Sequence, residues 1–352
     1  MATPTSTACS TAPPPSGARP KCSPRAADRR HAAVAEFELI DLIRARATHA
    51  RDDVLLGIGD DAAVLRVPAD RELVVAMDTL NAGVHFPAGT APADIGWKAL
   101  AVNLSDLAAM GAEPAWCTLS LSLPEGDAAW VAAFLDGFMA LAAEHGVALV
   151  GGDTTRGPLS ISVTVHGFVA PGVALRRNGA RVGDGVWVSG TLGDAAAALA
   201  QWRARGAIDA IDAALRARLE RPLPRIALGR ALSGIAHACL DVSDGLLADL
   251  GHVCAASGVG AEIDVDTLPA SAALQAAFAG DALRALQAGG GDDYELCFTA
   301  PASVDSAIQA AGRAAGVAVT RIGAVVETHG VRAHGAGKPW VAPHSGHVHF
   351  GA

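Results

Sequence analysis

Lysine is scarce: Lys21, Lys98 and Lys338 stand against 24 arginines in 352 residues. An anionic ligand must therefore be held by Arg, by backbone N–H groups or by bound metal. Basic charge is short overall, with 27 Lys plus Arg against 36 Asp plus Glu and a net charge of −9. That excludes a general nucleic-acid binder and points to small-molecule partners. The six cysteines (Cys9, Cys22, Cys117, Cys239, Cys254, Cys297) stand singly, with no CxxC pair and no zinc-like spacing to His. Neither a disulfide framework nor a structural zinc is expected, and a reducing cytoplasm fits. Even the stretch from Val131 to Val150 is broken by Asp136, Glu144 and His145, and no run reaches the ~18 uninterrupted apolar residues of a membrane helix. There is no GxxxxGK[ST] loop and no HRD or DFG set, which excludes a P-loop enzyme and a protein kinase.

What is present is a globular composition, 51% hydrophobic and 18% charged, in a chain long enough for about two domains of ~150 residues. Residues 1–33 are rich in Pro, Ser, Thr, Ala and Arg without apolar periodicity, which predicts a disordered extension with no secretory core. From Glu36, the apolar stripe Phe37, Leu39, Ile40, Leu42, Ile43 predicts a helix. Val54 to Ile58 and Leu73 to Met77 then read as short buried strands. The run IGWKALAVNLSDLAAM from Ile95 to Met110 reads as a helix, or as a pair of helices interrupted near Asn103. Trp116 to Leu123 reads as a strand, Asp127 to His145 as a helix, and Ala148 to Val150 and Leu159 to Val169 as strands. The Gly- and Arg-rich stretch from Pro171 to Gly185 suggests domains of 34–171 and 172–352, the second repeating the alternation of strand and helix. The expectation is an α/β (α+β layered) fold.

Aspartates recur at glycine-containing strand exits: Asp60 and Asp61 in GIGDDA, Asp78 in AMDTL, Asp106 in NLSD, Asp153 in GGDTT, Asp241 and Asp244 in LDVSDG, Asp292 and Asp293 in GGGDDYE. Any one of these fits a helix cap or a turn. Adjacent pairs would repel if they converged, however, and a divalent cation resolves that. Hard carboxylate oxygens favour Mg²⁺, which takes one or two carboxylates, waters and substrate phosphates. Gly57, Gly59, Gly151, Gly152 and Gly157 would let backbone N–H groups approach phosphate, with Arg156, Arg176 and Arg177 as cationic clamps. Gly57-Ile-Gly59-Asp-Asp-Ala62 also fits a loose dinucleotide fingerprint, but two carboxylates in that turn would face a pyrophosphate. Lys98 could reach a phosphate but reads first as a helix-surface lysine, and Trp97, Trp116, Trp130 and Trp187 read as core residues.

In order, the segments GIGDDAAVL, AMDTLNAGVHF, KALAVNLSDLAAMGAEPAW, GGDTTRGP, LDVSDGLLADLGH and GGGDDYELCF resemble the thiamine-monophosphate kinase family, over roughly Glu36 to Phe350. Its superfamily includes aminoimidazole ribonucleotide synthetase, selenophosphate synthetase and the hydrogenase maturation carbamoyl-dehydratase. The resemblance implies an N-terminal α/β domain that dimerises through a β-barrel, a C-terminal α/β domain, and a homodimer. It also implies transfer of phosphate from ATP to thiamine phosphate with several Mg²⁺ ions. By motif, Asp61, Asp78, Asp106, Asp153, Asp241 and Asp244 correspond to metal ligands. Gly152, Asp153, Arg177 and Ser243 correspond to ATP contacts, and His85 and Asp292 to substrate contacts. The chain departs from the family in three places. Asp292 replaces a residue that is typically Glu, Ala76 and Met77 replace hydroxyl residues and leave only their carbonyls to ligate, and His347 stands near a usual aromatic. For His347, stacking on substrate and a solvated terminal histidine both remain open. No reactive Cys stands where selenophosphate synthetase or the hydrogenase maturation enzyme has one. Another enzyme of this superfamily and a catalytically silent ATP/Mg²⁺ binder are the alternatives. Since a phosphate oxygen is already a competent nucleophile, direct transfer without a general base is expected.

Overall fold

Residues 36–47, 51–344 and 346 are described by the structure, a computed structural model. The expected extension, Cys9, Cys22 and His347 lie outside the described residues. The first half begins with α1 (Glu36–Arg46) and an antiparallel pair, β1 (Val54–Leu56) and β2 (Val64–Leu65). It continues with β3 (Glu72–Asn81), α2 (Pro92–Ala109), β4 (Glu113–Leu123), α3 (Ala128–Glu144), β5 (Ala148–Arg156) and β6 (Ser160–Val169). Four of these strands form one sheet in the order β3-β6-β4-β5, which leaves β3 and β5 as its edges.

Helix α2 is buried along nearly its whole length. Pro92 at its start supplies a preset φ where no N–H partner is needed. Asn103 does not interrupt it. Its Nδ2 donates to the Ala99 carbonyl one turn back at 2.9 Å, and its Oδ1 accepts the Asp78 N–H at 2.8 Å. The amide is satisfied inside the helix, so the backbone ladder needs no break. Leu100, Leu104 and Leu107 of α2 and Phe134, Phe138 and Leu141 of α3 are fully buried, each contributing about 1.5–3 kcal/mol of apolar burial. The two helices meet backbone to backbone: a Cβ at Gly137 would lie 1.7 Å from the Ala93 carbonyl oxygen, and one at Gly96 2.0 Å from that of Phe134. Any larger residue would push α2 off α3.

β3 departs from the expected buried strand. Leu73, Val75 and Met77 are 44%, 54% and 60% exposed, while Val74 and Ala76 pack against the core. Strand alternation sends every second side chain away from α2. Leu55 and Leu56 of β1 are likewise exposed.

After a stretch without helix or strand come β7 (Gly185–Ser189), α4 (Asp194–Arg205), α5 (Ala213–Glu220), α6 (Ile226–Leu232), β8 (Ala238–Asp241), α7 (Leu246–Ser257) and β9 (Gly260–Asp264). The chain ends in α8 (Ala272–Ala277), α9 (Gly280–Gly289), β10 (Leu296–Ala300), α10 (Asp305–Ala314), β11 (Val319–Val326), β12 (Gly330–Gly335) and β13 (Lys338–Trp340). Their sheet runs β13-β12-β9-β11-β7-β10-β8. The α/β expectation holds, with helices packed on each sheet. Of the tryptophans read as core, Trp116 and Trp187 are buried, and Trp97 and Trp130 pack on the core partly buried. The four described cysteines are free and buried.

α2 packs against β3, α6 and β8, and so spans from one sheet to the other. Within the second half, a buried ionic node ties α5 and the start of α6 to the seven-stranded sheet. Glu295, fully buried, pairs with Arg218 at 2.7 Å and with Arg225, and accepts the Ser189 hydroxyl at 2.5 Å. Two guanidinium groups and a hydroxyl give this desolvated carboxylate the partners it needs. Beside it, both oxygens of buried Asp293 accept the Gly193 N–H, at 3.0 and 2.9 Å.

Candidate active site

Four of the expected metal ligands converge where these elements meet: Asp78 on β3, Asp106 on α2, Asp241 at the end of β8, and Asp244 in the turn before α7. The turn is built by Asp249, whose Oδ2 accepts the N–H groups of Ser243, Asp244 and Gly245 at 3.1, 3.1 and 3.0 Å. Gly245, at φ 126°, permits the bend. Burial pushes the Asp249 carboxyl up to about 7, although the three N–H groups favour its ionised form.

The electrostatics are those of crowded like charges. Asp106 is pushed up to about 8 by burial first, then by the charges of Asp241 and Asp78, with Arg177 opposing. Asp241 is raised by burial and by Asp78. Asp78 is raised by loss of hydration on its protein side and by Asp244, against the pull of His85. Four carboxylates, Asp78, Asp106, Asp241 and Asp244, thus crowd about Arg177, a deficit of positive charge that a divalent cation would fill. Among the described residues, no three His, Cys, Asp or Glu side chains form a ready-made cage. Mg²⁺ does not require one, since waters and phosphate oxygens complete its octahedron. The donor set fits that ion.

Two cavities share this centre. One, of about 370 Å³, is lined by Asp78, His85, Asp106, Arg177, Asp241, Ser243, Asp244, Asp292 and Tyr294, with Ala195, Leu199 and Arg203 of α4 on its far wall. The other, of about 620 Å³, lies along Val74 to Met77 of β3 and is lined by Arg176, Arg177, Asn178, Asp106 and Asp241. Asp106, Arg177 and Asp241 belong to both.

Eight of the residues singled out in the sequence therefore stand around one cavity: Asp78, His85, Asp106, Arg177, Asp241, Ser243, Asp244 and Asp292. Asp61, Gly152 and Asp153 do not join them. They line a separate cavity of about 370 Å³ with Gly57 and Gly59. Strand register measures the gap: Asp153 pairs with Ser120, Ser120 with Ser162 and Ser162 with Thr79. Three inter-strand steps put the two edges roughly 14 Å apart. Arg156, expected as a clamp, donates to the Pro124 carbonyl at 3.3 Å.

At the Asp292 end of the first cavity, His85 Nδ1 accepts the Asn81 N–H at 2.9 Å, so the neutral ring carries its proton on Nε2. Asp292 Oδ1 accepts the Tyr294 hydroxyl at 3.0 Å, and Oδ2 lies 3.2 Å from Lys98 Nζ. Lys98 is 1% exposed, which corrects its reading as a surface residue. Lys98, Asn103 and Asp249 hold neighbouring groups of this cavity by hydrogen bonds and an ion pair, contacts that the sequence does not show. The available signal was polar residues inside the apolar run of α2, and an acidic residue just after the SDG turn.

Residues 59–169 match the family model AIR synthase related protein, N-terminal domain, and residues 181–335 match AIR synthase related protein, C-terminal domain. The chain is 48% identical over 323 residues to thiamine-monophosphate kinase of Salmonella typhimurium, covering 90% of this chain and 99% of that protein. It is similar to the crystal structure of thiamine-monophosphate kinase from Stenotrophomonas maltophilia K279a, with TM-score 0.80 and 56% identity over 88% of this chain and 99% of the other. Another similar structure is AaThiL complexed with AMPPCP and TMP, with TM-score 0.70 and 34% identity over 90% and 97%.

Proposed function

The chain belongs to the thiamine-monophosphate kinase family, and from that footing we propose that it transfers the terminal phosphoryl group of ATP to thiamine monophosphate where its two cavities meet. The observation that carries this reading is the sharing of Asp106, Arg177 and Asp241 between the cavities. A two-substrate transfer needs two binding volumes that touch at one charged point. The cavity with Asp292, His85 and Tyr294 suits a substrate with a cationic ring and a phosphate. The cavity with Arg176, Arg177 and the β3 backbone suits a triphosphate.

The difficulty of the reaction is anion meeting anion, at roughly 4 kcal/mol per unit-charge pair at ~4 Å and an effective dielectric of 20. Arg177 places a guanidinium at the meeting point, and His85 offers its Nε2 proton to a substrate phosphate oxygen. Ser243 contributes a hydroxyl beside the same cavity. Bound Mg²⁺, held by Asp61, Asp78, Asp106, Asp153, Asp241 and Asp244, would neutralise phosphate charge and align the transfer. The attacking oxygen is already ionised, so the chain's task is positioning and no residue is asked to remove a proton.

The gap between the two groups of aspartates is bridged by a second copy. β3 and β5 are the free edges of the four-stranded sheet, and Leu73, Val75 and Met77 present an apolar stripe to solvent. Such an edge is a ready surface for another sheet. Closing two such sheets into a barrel, β3 edge to β5 edge, brings Asp61 and Asp153 of one copy beside Asp78 of the other. The working form is then a homodimer with shared sites, placed in the cytoplasm. Among the described residues no helix is long and apolar enough to cross a membrane. With ATP, Mg²⁺ and thiamine monophosphate, chromatography should show thiamine diphosphate and ADP in equal amounts. Folded protein that yields no thiamine diphosphate contradicts the proposal.

A further inference from the structure

Lys98 sits in the middle of an apolar helix with 1% of its surface exposed. A lysine so buried is unusual unless it is paired. Its Nζ donates to the His85 carbonyl at 2.9 Å and pairs with Asp292 Oδ2 at 3.2 Å. It therefore joins two loops from opposite halves of the chain, one carrying His85 after β3 and the other carrying Asp292 before β10. The Asp292 loop is under backbone strain, since Asp292 has φ 67° and Tyr294 φ 50°, conformations that non-glycine residues keep only when their surroundings fix them. The backbone of this loop is pinned by Asp292 N–H to the Ser243 carbonyl and Tyr294 N–H to the Val242 carbonyl, both at 2.8 Å. The carboxylate itself is bracketed by the Tyr294 hydroxyl on one oxygen and by Lys98 on the other.

We infer that Lys98 is a positioning residue for thiamine monophosphate: one buried ammonium sets the Asp292 carboxylate and the His85 loop at a fixed separation and so defines the substrate end of the first cavity. This rests on the reading that His85 and Asp292 contact that substrate. Lys98 is not among the residues lining either cavity of the shared centre, so it acts through the two groups it holds. ATP, placed in the other cavity, should not sense its loss.

The test is steady-state kinetics on Lys98→Met, Lys98→Arg, Asp292→Asn and the Lys98→Met/Asp292→Asn double variant, each checked for folding by circular dichroism and Tm. Lys98→Met should raise KM for thiamine monophosphate about tenfold, leaving kcat within about threefold and KM for ATP within about twofold. Lys98→Arg, which restores a charged donor, should fall between it and the parent protein. The double variant should fall short of the product of the two single effects, because the part of the Lys98 effect that runs through Asp292 is already lost in Asp292→Asn, while the part held by the His85 carbonyl is not. If Lys98→Met does not fold, Lys98→Arg carries the same test through the split between the two KM values. Equal changes in both KM values, no change in either, or additive effects in the double variant would overturn the inference. If Asp292→Asn itself leaves KM for thiamine monophosphate unchanged, the substrate-site reading fails first, and that failure is distinct from a Lys98 effect that is absent while the Asp292 effect is present.

Discussion

Replacing Asp106 by Asn is expected to lower kcat by about 10³-fold, equivalent to ~4 kcal/mol of lost transition-state stabilisation, while Tm without Mg²⁺ holds or rises. Asp106 stands where both cavities meet and where the charges of Asp78 and Asp241 already oppose its ionisation. An amide keeps the shape of the side chain but is a poorer ligand for a hard cation, so the site would lose a metal contact at the reacting phosphates. The same change removes one of the crowded carboxylates, which relieves repulsion in the metal-free protein. The pairing of lost turnover with undiminished stability separates a functional carboxylate from a structural one. Rate measurements with saturating substrates and thermal melts with and without Mg²⁺ would read it, and near-normal turnover would remove Asp106 from the reaction.

Asp78→Asn and Asp153→Asn should each be inactive as purified variants, yet regain activity when mixed through unfolding and refolding. Asp78 lies on the β3 edge and Asp153 on the β5 edge of the same sheet, too far apart to act together within one chain. In a twofold dimer that pairs unlike edges, a mixed dimer has one intact site and one doubly altered site. Random assortment makes half the dimers mixed, so recovery should approach about a quarter of the parent activity. A mixture as inactive as its components would show that each site is built by a single chain.

How far the sequence revealed the site depends on the kind of residue. The aspartates stand out because they end apolar strands or open helices in glycine-bearing turns, a pattern that survives without knowledge of tertiary contacts. Asp78, Asp106, Asp241 and Asp244 meet as that pattern suggests. Chain order says nothing about which strands become sheet edges, so the separation of Asp61 and Asp153 from the others was not legible. Lys98 misleads because lysine is so seldom buried: its i−3 and i+4 neighbours Ile95 and Val102 already place it on an apolar face, but only the covering of both faces of α2 and its partners His85 and Asp292 account for a charge there. The exposed stripe Leu73, Val75, Met77 misleads in the opposite direction, since alternating apolar residues on both faces of a strand read as buried. Asn103 resembled a break because asparagine disfavours helix interiors, and only its two partners, Ala99 and Asp78, account for its place.

The most direct measurement is a crystal structure of this chain with Mg²⁺, AMPPCP and thiamine monophosphate. The expected result has the nucleotide's terminal phosphate and the substrate phosphate facing each other between Asp106, Arg177 and Asp241, with the thiazolium end toward Asp292. Either ligand bound away from that junction, with those three side chains touching neither phosphate nor metal, would contradict it.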